Sequence, residues 1–332
     1  MTLASLDPKG PFKRDPLAPH QMRNRLTRTE DAIVLCHLGV PRLEPDRWSL
    51  MINGMVEHSL ALPFDELMRY PKTEMVGVHQ CCGNPLAPFG PTRRVCNVRW
   101  AGARLADVLA PSLPNAAAKY IWCFGADYGQ FGGVVVDAYV KDLPIAGLAE
   151  DVLIAYEMNG SALPAEHGFP ARLVVPGFYG TNSVKWLTRI ALAEHRAQGP
   201  FTTRWYNDPV LDGFERETGE TTPVWSIAPE SLIVSPSPHE VINLLDAREI
   251  WGWAWADGGV RRVYVRAEDA ATWHSVDLEP RHGCEWQRFS ISWLPSRRGE
   301  YLLSSIAEAN NGMLQPISGR RNMIYEVPVR VE

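Results

Sequence analysis

The chain is predicted to belong to the α+β class: a mixed, β-rich domain followed by an antiparallel β-sandwich of immunoglobulin size. Three observations predict this. Short apolar runs bounded by Gly, Pro and Asn recur along the chain, while helical patterning is confined to two short segments. From about Pro223 the apolar runs settle to a spacing of roughly 8–12 residues, the texture of a two-sheet sandwich. A length of 332 residues allows two domains, each with its own core. The expected division is an N-terminal arm over residues 1–30, a first domain over 31–222 and the sandwich over 223–332.

Residues 1–30 are rich in Pro, Arg and Lys without periodicity, which predicts an arm laid over the surface. Ile33–Pro41 is an apolar run carrying Cys36 and His37, a strand or its exit. Trp48–Val56 alternates and then turns at Asn53-Gly54, a hairpin signal. A helix is predicted from Pro63, with Asp65 and Glu66 in its first turn where the macrodipole favours acids. A second, Leu105–Ala110, is stopped by Pro111. Strands are predicted at Tyr120–Asp127, Gly133–Val140 and Leu153–Gly160, the last turning at Asn159-Gly160. Leu173–Pro176 is a further β-rich run, and Gly177–Trp186 is a glycine-bearing loop. Ile190–Ala193 closes this half, and residues 191–223 read as a crossing segment. Sandwich strands are predicted at Leu232–Val234, Val241–Leu245, Trp251–Trp255, Val260–Val265, Trp286–Ile291, Tyr301–Ser305 and Tyr325–Val331.

Composition bounds the function. The formal net charge is −5 and mixed in sign, so the basic stripe expected of a nucleic-acid binder is lacking. No apolar run approaches the roughly 20 residues of a membrane helix. The N-terminal stretch, with scattered charges and prolines and no apolar core, is not an uncleaved signal peptide. The expected location is cytoplasmic, favoured by the initial Met, or periplasmic if the chain is supplied without its export signal. Six cysteines, at 36, 81, 82, 96, 123 and 284, show no C-x-x-C pair, so a zinc ribbon or disulfide scaffold is not expected. Most are expected to be small buried hydrophobes.

The stretch His79–Leu105 organises the rest. Its thiol pair, Cys81 and Cys82, is pinned between Gln80 and a Gly83-Asn84 turn. By residue type alone a buried thiol is an equal reading, but such a turn can present a side chain at its apex, and a thiolate there is a soft-metal ligand. His37, Asp127, His167 and Arg172 each read, in isolation, as satisfied structural residues. Together they are polar groups at strand ends in an apolar domain, which suits an extended polar ligand better than a bare ion. Gly177, Gly180, Thr181, Asn182, Ser183 and Lys185 supply N–H groups, hydroxyls and a cation, the means by which proteins hold phosphate. Walker spacing is lacking, so nucleotide hydrolysis is not indicated.

Five segments taken together, Gln80–Asn84, Arg99–Leu105, Ala155–Gly160, Glu166–Arg172 and Ser183–Trp186, resemble the sulfite oxidase family of molybdopterin enzymes in order and spacing. The resemblance runs from about residue 30 to the C-terminus and is to the haem-free bacterial type. It implies a molybdenum–molybdopterin cofactor and no haem. Cys81 would be the thiolate ligand of the metal, with Cys82 in place of the small residue that normally follows. His37, Asp127, His167, Arg172, Ser183, Val184 and Lys185 would hold the pterin and its phosphate. Tyr206 sits where the family places an active-site tyrosine beside the metal's oxo groups, and Trp100 where it has a pocket tryptophan. The sandwich would be the dimerisation domain.

The departures bear on substrate. Arginines that hold sulfite in the family are expected in the Ile33–Pro41 segment, soon after the metal cysteine, and near the last strand. Leu35, Leu86 and Glu326 stand there instead, and Cys36 replaces a neighbouring asparagine. Each charge-assisted hydrogen bond lost is worth roughly 1.5–3 kcal/mol, although Arg93, Arg94 or Arg204 could compensate from another direction. The expected function is therefore oxygen-atom transfer at a molybdenum centre, on a small sulfur substrate other than or broader than sulfite. Electrons would pass to an external partner, because neither a C-x-x-C-H haem signature nor a Rossmann fingerprint is present. The alternatives are reduction of an S- or N-oxide on the same cofactor, and a non-catalytic scaffold or binding module. A homodimer is expected, with no nucleic acid and no membrane as partners.

Overall fold

The computed structural model describes residues 4–14, 16–84, 94–148, 150–212, 216–267, 272–317 and 321–332. Within them the chain is β-rich. Its α-helices are two short turns, Phe64–Leu67 and Leu105–Leu109. Helices this short are not stable alone; Leu67, Leu105, Val108 and Leu109 are buried and hold them by packing. The helical share of the expected α+β class is confined to these turns. No helix among the described residues is long and apolar enough to cross a membrane.

Chain contacts divide the protein into two units. The first comprises Met1–Asp15, Ile33–Met75 and Arg99–Trp225, the second Pro16–Ala32, Val76–Val98 and Ser226–Glu332. Both are discontinuous in sequence, and each is described by itself.

In the first unit a five-stranded sheet runs Val140–Pro144, Tyr120–Gly125, Leu187–Ala193, Ser49–Gly54, Leu60–Pro63. All neighbours are antiparallel except Leu187–Ala193 with Ser49–Gly54. The hairpin expected at Asn53-Gly54 forms, and Gly54 is needed there. Its φ is +87° and a Cβ would lie 2.3 Å from the Leu192 carbonyl oxygen. A second set of strands centres on Leu153–Met158, which pairs with Arg172–Val174, with Ser161–Ala162 and with the Trp100–Arg104 end of Val95–Arg104. Leu50, Ile52, Ile121 and Ile190 of the first sheet meet Ala103, Ile154 and Leu173 of the second in one core.

The arm expected over the surface carries paired strands: Leu6–Lys9 pairs with Gly39–Pro41, and Phe12–Arg14 pairs with Val34–Cys36. These strands are only partly buried, so backbone pairing rather than an apolar stripe holds them and no periodicity shows in sequence. The single strand expected over Gly133–Val140 is two. Val134–Val136 folds back on Gly129–Phe131 around Gly132 and Gly133, both at positive φ, and the sheet strand begins only at Val140. Val135 is 74% exposed, so its β-branched run is a surface hairpin rather than core.

In the second unit Glu230–Ser235, Arg248–Trp255, Gln287–Trp293 and Asp277–Leu278 form one sheet. Val241–Ile242, Val327–Val331, Gly299–Ala309, Val260–Arg266 and His274–Ser275 form the other. Ile250, Ala254 and Phe289 of the first sheet share a core with Val263, Leu303 and Val329 of the second, which makes the unit a two-sheet sandwich. Pro16–Ala32 contributes too: the Trp253 indole N–H donates to the Met22 carbonyl at 2.7 Å.

Candidate functional site

The first unit assembles most of the expected residues into one connected group. Its centre is Lys185, whose ammonium donates to the carbonyls of Leu35 (3.1 Å) and Glu166 (2.9 Å) and meets the Cys36 thiol at 2.9 Å. Burial lowers the lysine pKa, while Cys36 and Asp127 oppose that by favouring the charged form. Arg172 is buried on the strand Arg172–Val174. It donates to the carbonyls of His167 (3.0 Å), Ser183 (3.0 Å) and Leu173 (3.3 Å). Its guanidinium lies 4.8 Å from the Trp100 ring centroid, a cation–π contact that fixes its plane. Trp100 is 2% exposed, so it acts here as the bed of Arg172.

Glycine permits this closeness. Gly168 has φ +109°, and a Cβ there would stand 3.1 Å from the Cβ atoms of both Arg172 and Lys185. Gly125 opens the other side: a Cβ would stand 2.4 Å from an Asp127 side-chain oxygen and 2.9 Å from the Lys185 carbonyl. Asp127 itself is 4% exposed, and no described protein group donates to its Oδ1. Burial pushes its carboxyl up to about 7, against the pull of Lys185. A buried carboxyl with an unanswered oxygen, beside a cation and walled by glycine, is built to receive a polar ligand.

Ser183 and Val184 contribute differently. The Ser183 hydroxyl accepts from the Val175 N–H at 3.0 Å, so it ties down its own loop. Val184 points its side chain into the core, and its carbonyl accepts from Leu173.

His37 and Tyr206 form the other end of the group. The Tyr206 hydroxyl and His37 Nε2 are 2.6 Å apart. His37 packs among Phe131, Tyr139 and Phe201, and burial, then Lys185, lower its pKa to about 4. It is therefore neutral at neutral pH. Tyr206 follows a wide turn at Pro200–Arg204 and has φ +62°, a left-handed conformation unfavourable for a bulky residue. The Val224 N–H donates to its carbonyl at 2.9 Å and holds it there.

Sequence reasoning missed Lys141. It is fully buried, donates to the Phe201 carbonyl at 3.1 Å and lies 5.3 Å from the Tyr206 ring. A lysine beside an aspartate within the strand Val140–Pro144, between apolar neighbours, was the available signal. Gly125 and Gly168 were also missed, because the need for their lack of a Cβ is visible only in space.

The second unit holds Cys81. The turn is tight: the Cys81 N–H donates to the Arg94 carbonyl (2.9 Å), and the Asn84 N–H donates to the Cys81 carbonyl (3.0 Å). The Gly83 N–H donates to the Cys81 sulfur at 3.4 Å. The Cys81 pKa falls to about 6, first through the hydrogen bond with Cys82, then through the Gly83 N–H and the Arg94 charge, against an opposing effect of burial. Cys81 is half-buried, whereas Cys36, Cys82, Cys96 and Cys123 are buried. Of the positions where family arginines were expected, Leu35 lies on the strand Val34–Cys36. Glu326 is an anion paired with Arg266 at 2.7 Å. Leu86 lies outside the described residues, as does Arg93.

Comparison with known proteins agrees with this chemistry. The family described as "Oxidoreductase molybdopterin binding domain" matches residues 37–201. The chain is 31% identical to the mitochondrial sulfite oxidase of Macaca fascicularis, over 90% of this chain and 58% of that protein. It is 30% identical to a nitrate reductase of Hordeum vulgare, over 83% of this chain and 34% of that protein. The chain thus spans less than two thirds of the length of these relatives. Among solved structures, the sulfane dehydrogenase SoxCD of Paracoccus pantotrophus superposes with a TM-score of 0.78. It is 26% identical, with 93% of this chain and 85% of that one covered. On these matches the chain belongs to the sulfite oxidase-like molybdopterin oxidoreductases.

Proposed function

We propose that this chain carries the molybdenum–molybdopterin centre of an oxidoreductase acting on a small sulfur compound other than, or broader than, sulfite. In this reading Cys81 ligates the metal, and Asp127, His167, Arg172, Ser183 and Lys185 hold the pterin and its phosphate. The cofactor, when bound, supplies two-electron oxygen-atom transfer. The observation that carries the cofactor assignment is Asp127. Its Oδ1 is buried and has no donor among the described residues, which suits a donor on a pterin ring. Arg172 and Lys185 supply the positive charge a phosphate needs.

The substrate reading rests on what surrounds the His37–Tyr206 pair. Phe131 lies 4.7 Å from the His37 ring and 5.1 Å from that of Trp205, an aromatic wall suited to an apolar body. Leu35, on the strand Val34–Cys36 just before His37, offers no charge to a dianion. Tyr206 can donate its one proton to substrate oxygen while the neutral His37, in the tautomer protonated at Nε2, donates that N–H to the phenol oxygen. The same wall favours a second reading, reduction of an organic S- or N-oxide. The structural neighbour's name supports including sulfane sulfur among the candidates. An electron partner outside this chain and a homodimer through the sandwich, read as immunoglobulin-like, complete the proposal.

The test is molybdenum and pterin analysis of wild type and Cys81→Ser, followed by turnover of wild type on sulfite, thiosulfate and organic sulfoxides with dye electron carriers. Wild type should hold both molybdenum and pterin, and the variant should lose the metal–sulfur signature. A variant with unchanged molybdenum, spectrum and rate overturns the ligand assignment. A sulfite KM in the low micromolar range overturns the substrate assignment.

A further inference from the structure

Within the second unit, a buried carboxylate grips the Cys81 turn. Glu230 begins the strand Glu230–Ser235 and is fully buried. It accepts from the Gln80 side-chain amide at 2.6 Å and from that of Asn84 at 2.9 and 3.1 Å, one bond to each oxygen. Gln80 immediately precedes Cys81, and Asn84 closes the turn that follows it. The Gln80 amide also donates to Asn322 Oδ1 at 2.8 Å, and its carbonyl accepts from the Trp255 indole N–H at 2.7 Å. Asn322 is anchored in turn, donating to the Ala228 carbonyl at 2.7 Å. The Asn84 side-chain oxygen accepts from the Arg94 N–H at 2.6 Å.

The strand register explains why these groups converge. Glu230 and Trp255 are directly opposed in the ladder, so their side chains share one face of the sheet. Both reach the same glutamine. Gln80, Asn84, Glu230 and Asn322 are each fully buried. Sequestering a carboxylate among amides is costly unless every bond is made, and a buried network with its bonds made is rigid. Such a device is expensive as mere packing, because an apolar cluster would hold two strands together without it.

We propose that Glu230 is a positioning residue for Cys81: by clamping the amides on either side of the thiol turn, it sets the direction in which the Cys81 sulfur is presented. The proposal rests on the reading of Cys81 as the metal ligand. Gln80 and Asn84 touch the carboxylate, Trp255 and Asn322 fix Gln80, and the sulfur is left half-buried at the apex. Loosening the clamp should change how the thiol is offered before any metal is present.

The experiment uses the full chain with Glu230→Gln, which keeps the shape but puts an N–H where an acceptor is required, and Glu230→Asp as the conservative variant. Two readouts are followed: the rate of Cys81 alkylation by iodoacetamide in cofactor-free protein, located by peptide fragmentation, and the molybdenum(V) electron paramagnetic resonance spectrum of loaded protein. Glu230→Gln is expected to change the alkylation rate by roughly threefold or more and to shift or broaden the resonance, with partial recovery in Glu230→Asp. Unchanged rate and spectrum, even with a lowered melting temperature, overturn the proposal in favour of a purely structural role. Should Glu230→Gln fail to fold, Trp255→Phe removes one donor to Gln80 while leaving the carboxylate, and the same readouts decide. If Cys81→Ser retains its molybdenum, the ligand reading fails, yet the alkylation rate still decides whether Glu230 orients the thiol.

Discussion

The Tyr206 hydroxyl and His37 Nε2 sit 2.6 Å apart, and the imidazole, with its pKa lowered to about 4, remains neutral across the range in which most enzymes work. Tyr206→Phe is therefore expected to lower kcat by about 10²-fold with little change in KM, the size of a lost proton-transfer partner. A kcat within twofold of wild type would show that the phenol handles no proton.

The same histidine makes stability depend on pH. Its folded pKa lies below the unfolded value, so the unfolded chain takes up a proton first as pH falls. Its stability contribution is full above pH 6.5 and is lost as pH falls toward about 4, by about 2–3 kcal/mol. His37→Gln should flatten the melting temperature over that window relative to wild type. An identical pH dependence in the two proteins would contradict the burial argument.

Asp127 acts with the opposite sign. Its folded pKa, about 7, lies above the ordinary 3.8, so cofactor-free protein loses stability as pH rises between these values. Asp127→Asn should raise the melting temperature of cofactor-free protein above pH 7, leave it little changed below pH 4, and reduce pterin retention. Thermal scans across pH, paired with pterin fluorescence, check both halves.

Gly125 tests the space beside that carboxyl. With a Cβ placed 2.4 Å from the Asp127 oxygen, Gly125→Ala should destabilise the protein by about 1–3 kcal/mol and lower pterin content. A variant with wild-type melting and full pterin would mean that the cradle yields easily.

Leu35→Arg tests the substrate argument directly. Restoring one cation should lower the sulfite KM by roughly 10–100-fold, the equivalent of one charge-assisted hydrogen bond, while leaving turnover of neutral sulfoxides unchanged or reduced. Steady-state kinetics on both substrates distinguishes this from a general loss of activity.

How much of this was legible beforehand varies by residue. Ser49–Gly54 and Leu153–Met158 announced themselves through alternation and an Asn-Gly turn, because a strand with one buried face leaves a period of two. The hairpin Gly129–Val136 and the paired strands at Leu6–Lys9 and Phe12–Arg14 did not, since backbone bonding at partly exposed edges leaves no pattern in side chains. His37, Asp127, His167, Arg172, Lys185 and Cys81 could be named from motif order, whereas Glu230, Lys141 and Trp255 carried no motif.

The amino-acid sequence by itself determined the β-rich class, the family and the residue types able to hold a pterin and a soft metal, because periodicity and local motif chemistry are written in consecutive residues. Tertiary structure alone decided that Val76–Val98 folds with the sandwich unit and that Glu230 meets Gln80 and Asn84. It alone showed that Gly125 and Gly168 must lack a Cβ so that Asp127, Arg172 and Lys185 can crowd together. Those facts depend on strand register and on distances between residues far apart in the chain, and one-dimensional order does not encode them until the backbone has closed.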